Sequence, residues 1–243
     1  MPQANHSQTL VLIKPDALKN SATGYILSLL NEFNTGLYFA GMKVVEVSKM
    51  LAAEHYAEHK GKGFYASLLE YITGQSHFPG QPEKQKVIAI VYQGPNAVLK
   101  IRELAGPTNP INAREQKPGC IRSLGAVIPV KDAQGNVIDQ RIDNLIHASA
   151  TDPEAEREIK LWFKPGDIPP ALRAYPTQTC NVNYYFKDGK LLTSFENGSI
   201  CLIAQGDLVW ESDLEILQAL SSGTAAEGTL ELVAAKYLLN ISK

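Results

Sequence analysis

The sequence NLIHASATDPEAEREIKLWF, residues 144–163, places a short apolar run directly before a well-marked helix. Thr151 or Asp152 can cap this helix, Pro153 suits its first turn, and apolar residues recur on one face at helical spacing. The run before it predicts a buried strand that ends at His147. A lone histidine among apolar residues is commonly a hydrogen-bonded core residue. The rest of the chain must therefore decide whether His147 has a chemical role.

Strands and helices alternate outward from this stretch. QTLVLI, LYFAGMKVVEVSKM and KVIAIVYQG predict three earlier strands, with helical segments between them. The unequal connections disfavour a parallel, doubly wound sheet. The order predicts an α+β fold, namely a ferredoxin-like antiparallel sheet with helices on one face. The helix after the first strand has a predicted apolar stripe of Ile26, Leu29, Leu30 and Phe33.

Two regions depart from this plan. Residues 124–142 alternate in polarity around the turn sequence DAQGN, which predicts a β-hairpin. After Phe163, the run KPGDIPPALRAYPTQ predicts an ordered linker, followed by a small β-meander and two helices that break near Gly223. We therefore predict a core over residues 1–163 and a C-terminal extension over residues 164–243, for which we favour a structural or assembly role.

The composition is that of an ordinary globular protein, with 44% hydrophobic residues, 20% charged residues and a formal net charge of -2. Lysine and arginine are spread along the chain, so specific nucleic-acid binding is not expected. The sequence shows neither a signal-peptide pattern nor an apolar run of about 18 residues, which predicts no membrane span and a cytoplasmic location. Cys120, Cys180 and Cys201 have no metal or redox spacing, so we interpret them as reduced, mostly buried thiols.

The sequence has neither a GxxxxGK[ST] loop nor a GxGxxG turn that opens a helix after a strand. A phosphate-handling protein of this kind would have to use side chains. Suitable side chains follow one another along the chain: Lys14, Arg102, Thr108, Asn109, Arg122, Asn144 and His147. Each alone is more commonly a solvated surface residue. Together they form a set of phosphate-binding side chains that an average composition does not explain.

Several motifs occur in the same order as in the nucleoside diphosphate kinase family, which the chain closely resembles from Gln8 to about Phe163. They are TLVLIKPDAL, HYAEHKGKGFY, GPNAV, TNP, KPGCIR, NLIHAS and EAEREIKLWF. The resemblance implies a ferredoxin-like core and transfer of the γ-phosphate of a nucleoside triphosphate to a nucleoside diphosphate. It also implies substrates such as ATP and GDP, a homo-oligomer, and Mg²⁺ carried by the nucleotide phosphates rather than by a protein metal site.

The same resemblance assigns roles to individual residues. His147 matches the histidine that accepts the phosphoryl group and passes it on in a double displacement, and Glu158 matches the carboxylate that orients this histidine. It adds Lys14, Tyr56 and Ser149 to the catalytic set. The nucleotide-binding set that it implies is Lys14, Phe64 against the base, Asn144 at the sugar, and Arg102, Thr108 and Arg122 at the phosphates.

Departures from the family pattern keep alternatives open. Ser123 and Leu124 follow the arginine where the family usually has glycine and aspartate, and Ala148 and Ala150 replace a glycine and an aspartate around Ser149. One alternative is a binding or regulatory protein that keeps the nucleotide pocket. Another is a histidine-phosphorylated donor to other proteins. We rank an active nucleoside diphosphate kinase first, because every group expected to contact the phosphates is present.

Overall fold

The computed structural model describes residues 6–238. The core elements in chain order are β1 (His6–Ile13), α1 (Pro15–Lys19), α2 (Thr23–Leu29), α3 (Glu32–Thr35), β2 (Tyr38–Val45), α4 (Lys49–His55), α5 (Tyr65–Ile72), β3 (Val87–Pro95), α6 (Ala97–Ala105), α7 (Pro110–Gln116), β4 (Ala126–Lys131), β5 (Val137–Asp143), β6 (Ile146–Ala148) and α8 (Asp152–Trp162). The predicted alternation of strands and helices is confirmed.

One antiparallel sheet with strand order β2-β3-β1-β6 organises the core. The central strand is β1, in which Leu12 lies opposite Ala89 of β3 and His147 of β6. Its unbroken apolar run is fully buried, as expected for a strand covered on both faces. Two helical crossovers, from β1 to β2 and from β3 to β6, complete the predicted ferredoxin-like arrangement.

Helices cover both faces of the sheet. Val11 and Ile13 lie in the buried cluster with α2 and α6, which belong to the two crossovers. Leu10 and Leu12 lie on the opposite face, against α4, α8 and part of the C-terminal extension. The prediction of helices on one face therefore holds for the crossover helices alone. The order of elements fixes the side on which a crossover packs, but it does not fix the side for α4 and α8.

The helix predicted after β1 is divided in two. Helix α2 ends at Leu29, and α3 begins after Asn31, whose side chain accepts a hydrogen bond from the backbone amide of Asn34. This break turns Phe33 away from the core, and its side chain is 96% exposed. Including Phe33 in the apolar stripe was wrong, because the helical period does not continue across a new cap.

The predicted hairpin consists of β4 and β5 and stands apart from the main sheet. Asp132 orders its turn by accepting hydrogen bonds from the backbone amides of Gln134 and Asn136, both at 2.9 Å. The two strands converge at Gly125, where a Cβ atom would lie 2.3 Å from the carbonyl oxygen of Asp143. Glycine is therefore required where the hairpin leaves and rejoins the core.

The C-terminal extension contains further short strands and two helices. They are β7 (Thr177–Thr179), β8 (Tyr184–Lys187), β9 (Lys190–Leu192), β10 (Ile200–Ile203), β11 (Leu208–Trp210), α9 (Glu211–Ser222) and α10 (Leu230–Tyr237). The strands form one sheet with order β10-β8-β9 and a second with β11 beside β7. This order is not that of the predicted meander, because the chain after β9 returns to the far edge of β8. The predicted break between the helices is confirmed at Gly223.

The extension packs on the core. Trp210 Nε1 donates a hydrogen bond to the carbonyl oxygen of Phe163 at 2.7 Å. Trp210 and Ala235 belong to the same buried cluster as Leu10 and Leu12 of β1. A further cluster lies within the extension, between its small sheets and α9 and α10. The extension thus covers part of the sheet face opposite the crossover helices.

The three cysteines are free thiols. Cys120 and Cys180 are buried, and Cys201 is exposed, which confirms the interpretation of reduced, mostly buried side chains. No helix between residues 6 and 238 is long and apolar enough to cross a membrane.

Candidate active site

His147 lies on β6, beside the central strand, at a cleft of about 540 Å³. The cleft is bordered by the start of α1, by α4, α5, α6 and α8, and by the hairpin. Nine of the ten predicted site residues line it: Lys14, Tyr56, Phe64, Arg102, Thr108, Arg122, Asn144, His147 and Glu158. The tenth, Ser149, is fully buried and contacts Glu158. The structure therefore brings the whole predicted set together.

The backbone between Asn144 and His147 has an unusual conformation. Leu145 has a φ of +70°, in the left-handed region that branched apolar residues seldom adopt. Its amide donates to the Asp16 carboxylate at 2.8 Å, and its carbonyl oxygen accepts from the Lys14 amide at 2.9 Å. Strain of this kind persists only where the surroundings determine it. These contacts fix the position of Asn144 and His147 relative to Lys14.

Glu158 holds the ring of His147. The distance from His147 Nε2 to the Glu158 carboxylate is 2.9 Å, and Ser149 Oγ donates to the same carboxylate at 2.6 Å. Glu158 is buried on α8, whose first turn is capped by Thr151. Burial alone would raise the pKa of Glu158, but His147 and the hydrogen bonds from His147 and Ser149 lower it to about 2. The carboxylate is therefore ionised at neutral pH.

A second histidine, His55 at the end of α4, packs against His147. Their ring centroids are 4.6 Å apart in an edge arrangement, and Trp162 Nε1 donates to His55 Nδ1 at 3.2 Å. Burial lowers the pKa of His55 well below its ordinary value, and His147 adds to this effect. His55 is therefore neutral. The sequence reasoning missed it, although it directly precedes Tyr56 in the motif HYAEHKGKGFY.

Lys14 and Asn144 form the floor of the cleft. Lys14 Nζ donates to Asn144 Oδ1 and lies 4.4 Å from the centroid of the Tyr71 ring. Asn144 Nδ2 in turn donates to the carbonyl oxygen of Thr108 at 2.9 Å. Burial, partly offset by Asp16, lowers the pKa of Lys14 to about 8. Lys14 is thus a desolvated cation whose charge an anionic ligand would stabilise.

Arg122 and Arg102 supply two more cations. Arg122 donates to the carbonyl oxygens of Gly106 at 2.8 Å and of Ile146 at 3.3 Å, so the backbone fixes its guanidinium. Burial lowers the pKa of Arg122 to about 10, and repulsion from Arg102 adds to the shift. Arg102 is exposed on α6. An anion in the cleft would relieve the repulsion between these two side chains.

Aromatic rings form another wall of the cleft. The Tyr56 ring contacts His55 at 4.5 Å between centroids and stacks on His59 at 6.0 Å, while His59 meets the edge of Phe64 at 5.6 Å. Burial and the nearby Glu158 raise the pKa of Tyr56, so its hydroxyl stays protonated. Phe64 is 47% exposed. Its ring is thus available to a flat ligand.

The hairpin also reaches the cleft, which the sequence reasoning did not predict. Residues 139–142 of β5 line it. Arg141 donates to the Asp143 carboxylate through Nε at 2.8 Å and Nη2 at 3.1 Å, and His77 Nε2 lies 2.9 Å from the same carboxylate. Burial opposes ionisation of Asp143, but the hydrogen bonds from His77 and Arg141 lower its pKa overall. These contacts anchor the base of the hairpin.

Ligand-type atoms of His55, His147 and Glu158 lie within 4.8 Å of one another. Trp162 already donates to His55 Nδ1, and His147 and Glu158 are paired with each other. Two imidazoles and one carboxylate also differ from the all-oxygen ligand set that Mg²⁺ prefers. The three residues are therefore better described as a hydrogen-bonded pair with a packed neutral ring than as a magnesium site.

Comparison with known proteins agrees with this geometry. The nucleoside diphosphate kinase family model matches residues 7–168, which include every residue of the cleft described above. The nucleoside diphosphate kinase of Pyrococcus abyssi is 40% identical over 168 residues, which are 69% of this chain and 91% of that protein. The enzyme of the same name from Mycolicibacterium smegmatis is 39% identical over 160 residues, or 66% of this chain and 96% of that protein.

Solved structures show the same similarity. A nucleoside diphosphate kinase from Aquifex aeolicus is 27% identical with a TM-score of 0.54, covering 68% of this chain and 100% of that one. A halophilic nucleoside diphosphate kinase from Halobacterium salinarum, solved in complex with CDP, is 31% identical with a TM-score of 0.51, covering 68% and 92%. The sheet order, the residues of the cleft and the relatives all agree, so the chain belongs to the nucleoside diphosphate kinase family.

Proposed function

We propose that His147 of this nucleoside diphosphate kinase carries the phosphoryl group from a nucleoside triphosphate to a nucleoside diphosphate. The observation behind this proposal is the way the ring is held. Nε2 is paired with the ionised Glu158, whereas Nδ1 has no hydrogen-bond partner within residues 6–238. An imidazole whose Nε2 donates to a carboxylate presents the lone pair of Nδ1 as a nucleophile.

The transfer proceeds through two displacements. Nδ1 attacks the γ-phosphorus, the bond to the β–γ bridging oxygen breaks, and the nucleoside diphosphate leaves with the electron pair. The phosphorylated ring keeps its proton on Nε2 and carries a positive charge, which the Glu158 carboxylate stabilises. A terminal phosphate oxygen of a second nucleoside diphosphate then attacks the same phosphorus. The bond to Nδ1 breaks, and the neutral ring is restored.

Positive charge around the cleft positions the phosphates. Phosphoryl transfer depends mainly on positioning and on charge that meets the transferring oxygens. We assign this task to Lys14, Arg102, Arg122 and Thr108. A bound phosphate would favour the charged form of Lys14 and raise its pKa from about 8. Mg²⁺ on the phosphate oxygens would neutralise part of their charge, and we propose that the nucleotide carries it into the site.

The remaining residues orient the nucleoside and the histidine. We assign Asn144 to a sugar hydroxyl, because it lies between Lys14 and Thr108. The exposed ring of Phe64 is assigned to the base. Every base has a flat face, so broad nucleotide use is expected. Tyr56 borders the cleft and contacts His55, and Ser149 Oγ donates a hydrogen bond to Glu158.

The proposal is tested with γ-labelled ATP and Mg²⁺, followed by GDP. We expect an acid-labile label on the wild type that moves to GTP, and no label on His147→Ala. His59→Ala, which removes another histidine at the cleft, is the matched control and should still be labelled. A wild type that binds nucleotide in calorimetry but never acquires the label would instead be a nucleotide-binding relative without turnover.

A homo-oligomer, a cytoplasmic location, the lack of specific nucleic-acid binding and the core boundary at residue 163 remain predictions. The hairpin supports a subunit contact, because it exposes several apolar side chains: Ile128, Val130, Val137 and Ile138. Light scattering of the full chain during size exclusion would measure the oligomeric state. A monomer at micromolar concentration would contradict that prediction.

A further inference from the structure

The proposed base site has one aromatic wall and one wall with no assigned role. Phe64, at the start of α5, lines the cleft together with residues 139–142 of β5. Strand β5 leads directly into Asn144, which the proposed function places at the sugar. Strand residues advance by about 3.3 Å each, so Arg141 lies roughly 10 Å along the chain from Asn144. The hairpin therefore borders the nucleoside end of the cleft.

Arg141 is the only one of these hairpin residues whose side chain is fixed by a two-point ion pair in the part of the chain that the structure describes. Its Nε and Nη2 atoms bind the Asp143 carboxylate at 2.8 and 3.1 Å. His77 Nε2 lies 2.9 Å from Oδ2 of that carboxylate, the oxygen that Arg141 Nη2 also contacts. The side chains of His77 and Asp143 are 2% and 9% exposed, whereas that of Arg141 is 29% exposed. Two nearly buried side chains, His77 and Asp143, thus hold the partly exposed guanidinium of Arg141 at the cleft.

The ion pair occupies only one edge of the guanidinium. The Arg141 side chain stays 29% exposed at the cleft, and a guanidinium face stacks well on an aromatic ring. An edge-on bidentate pair also fixes the plane of the group, so little side-chain freedom remains to be lost when a flat ligand binds. Arg141 therefore combines the orientation and the planar surface that a base-stacking residue needs.

We propose that Arg141 is a nucleotide-binding residue that stacks on the base from the hairpin wall of the cleft, while Phe64 provides the other ring surface. This proposal rests on the proposed function, since it takes the nucleoside to lie between Asn144 and the hairpin. Stacking uses the flat face that all bases share, so Arg141 tightens binding without narrowing the range of bases. The hairpin thereby acts as part of the substrate site.

Calorimetry separates stacking from charge, with ADP and inorganic tripolyphosphate as the two ligands. We expect Arg141→Ala to weaken ADP binding about tenfold, the scale of one base-stacking contact, and to leave tripolyphosphate binding within about twofold. Arg141→Lys keeps a charge that can pair with Asp143 but has no flat face, so ADP should again bind about tenfold more weakly. Lys131→Ala, on the same hairpin and away from the cleft, should bind both ligands like the wild type.

Three outcomes would overturn the stacking role. Wild-type ADP affinity in Arg141→Ala would show that the base does not contact Arg141. Equal weakening for ADP and tripolyphosphate would show a phosphate-binding charge. Normal ADP affinity in Arg141→Lys would show that Arg141 only anchors the hairpin through Asp143. Failure of the proposed function would give a different result, namely a wild type that binds ADP but forms no phosphoenzyme. The ADP affinities of the wild type and the Arg141 variants could still be compared in that case.

Discussion

Helix α8 borders two side-chain pairs, each built on a buried carboxylate, that differ in what they leave exposed. On one side Glu158 pairs with His147 at 2.9 Å, and on the other Lys236 pairs with Asp213 at 2.7 Å. The His147 side chain is 20% exposed toward a cleft, whereas Lys236 and Asp213 are 1% and 5% exposed. Lys236 donates to both oxygens of Asp213. The open pair, Glu158 with His147, leaves one ring nitrogen free to react at the cleft. The sealed pair, Asp213 with Lys236, can only contribute to stability.

The surroundings of the two carboxylates explain the difference further. For Glu158, His147 and Ser149 outweigh burial and lower the pKa. For Asp213, burial outweighs Lys236 and raises the pKa. Burial likewise lowers the pKa of Lys236. The pair in the extension is thus one in which desolvation is not fully offset, which is common for ion pairs in protein interiors.

The largest expected effect is on stability, at the sealed pair. Asp213→Ala leaves Lys236 buried without its carboxylate, so we expect a loss of about 3–5 kcal/mol in the free energy of unfolding. Urea unfolding followed by tryptophan fluorescence would measure it. Glu215→Ala, an exposed position on the same helix, is the matched control and should change stability by less than about 0.5 kcal/mol.

Replacing both charges sharpens this prediction. Asp213→Leu combined with Lys236→Met removes the buried charge and keeps apolar volume, so most of the stability should return. If Asp213→Ala alone costs less than about 1 kcal/mol, water or another group satisfies Lys236, and the contrast with the cleft pair is lost.

At the open pair, the main effect should be on rate. Glu158→Gln can still contact the His147 ring but carries no charge to stabilise the phosphorylated imidazole. We expect phosphoenzyme formation to slow about 100-fold, in line with loss of one preorganised electrostatic contact. Single-turnover labelling with ATP would measure this rate. Glu156→Gln, which changes the partner of Lys160 on the same helix, should stay within about twofold. Equal slowing in both variants would indicate a general effect on α8.

A fall in pH should change the free energy of unfolding in opposite directions through the two carboxylates. The pKa of Glu158 is about 2 in the folded protein and has an ordinary value of 4.5, so the unfolded chain takes up this proton first. Its stabilising contribution is present above pH 4.5 and is lost as the pH falls toward 2. Protonation of Asp213 has the opposite effect on stability, because its raised pKa means that the folded protein takes up that proton first.

Urea unfolding at several pH values between 5 and 3 would measure this difference. Glu158→Gln should lose less stability than the wild type over this range, because its side chain does not titrate. Asp213→Asn should lose more, since it lacks the compensating proton uptake. Parallel curves for the wild type and Glu158→Gln would show that other carboxylates dominate the acid response.

The cleft was largely predictable because each of its groups lies in a local motif. Lys14 follows a buried strand, and His147 lies on the neighbouring strand β6, so the sheet order brings them together. Sequence periodicity does not show contacts between distant segments. His77 and Asp143 are 66 positions apart, and neither position has a pattern that points to the other. The role of the hairpin at the cleft was missed for this reason.

Errors in the fold have similar physical causes. The apolar stripe that included Phe33 assumed a continuous helix, whereas the cap at Asn31 starts a new one. The extension has strands of three or four residues, whose own preferences are too weak to fix their order. Contacts such as Trp210 with the carbonyl oxygen of Phe163 determine how the extension packs. These contacts depend on tertiary structure that the local sequence does not encode.

The smallest expected effect concerns the helix that borders both pairs. Thr151 Oγ1 accepts a hydrogen bond from the Glu154 amide at 3.3 Å and caps α8. Thr151→Ala removes this contact at an exposed position, so we expect a loss of about 1 kcal/mol in the free energy of unfolding, and Thr151→Ser should restore most of it. Phosphoenzyme formation should stay within about twofold, because Glu158 lies two turns further along α8 and is held by His147 and Ser149. A tenfold slower rate in a folded Thr151→Ala protein would mean that the first turn of α8 also positions Glu158, and that the open pair depends on the helix as much as on its own hydrogen bonds.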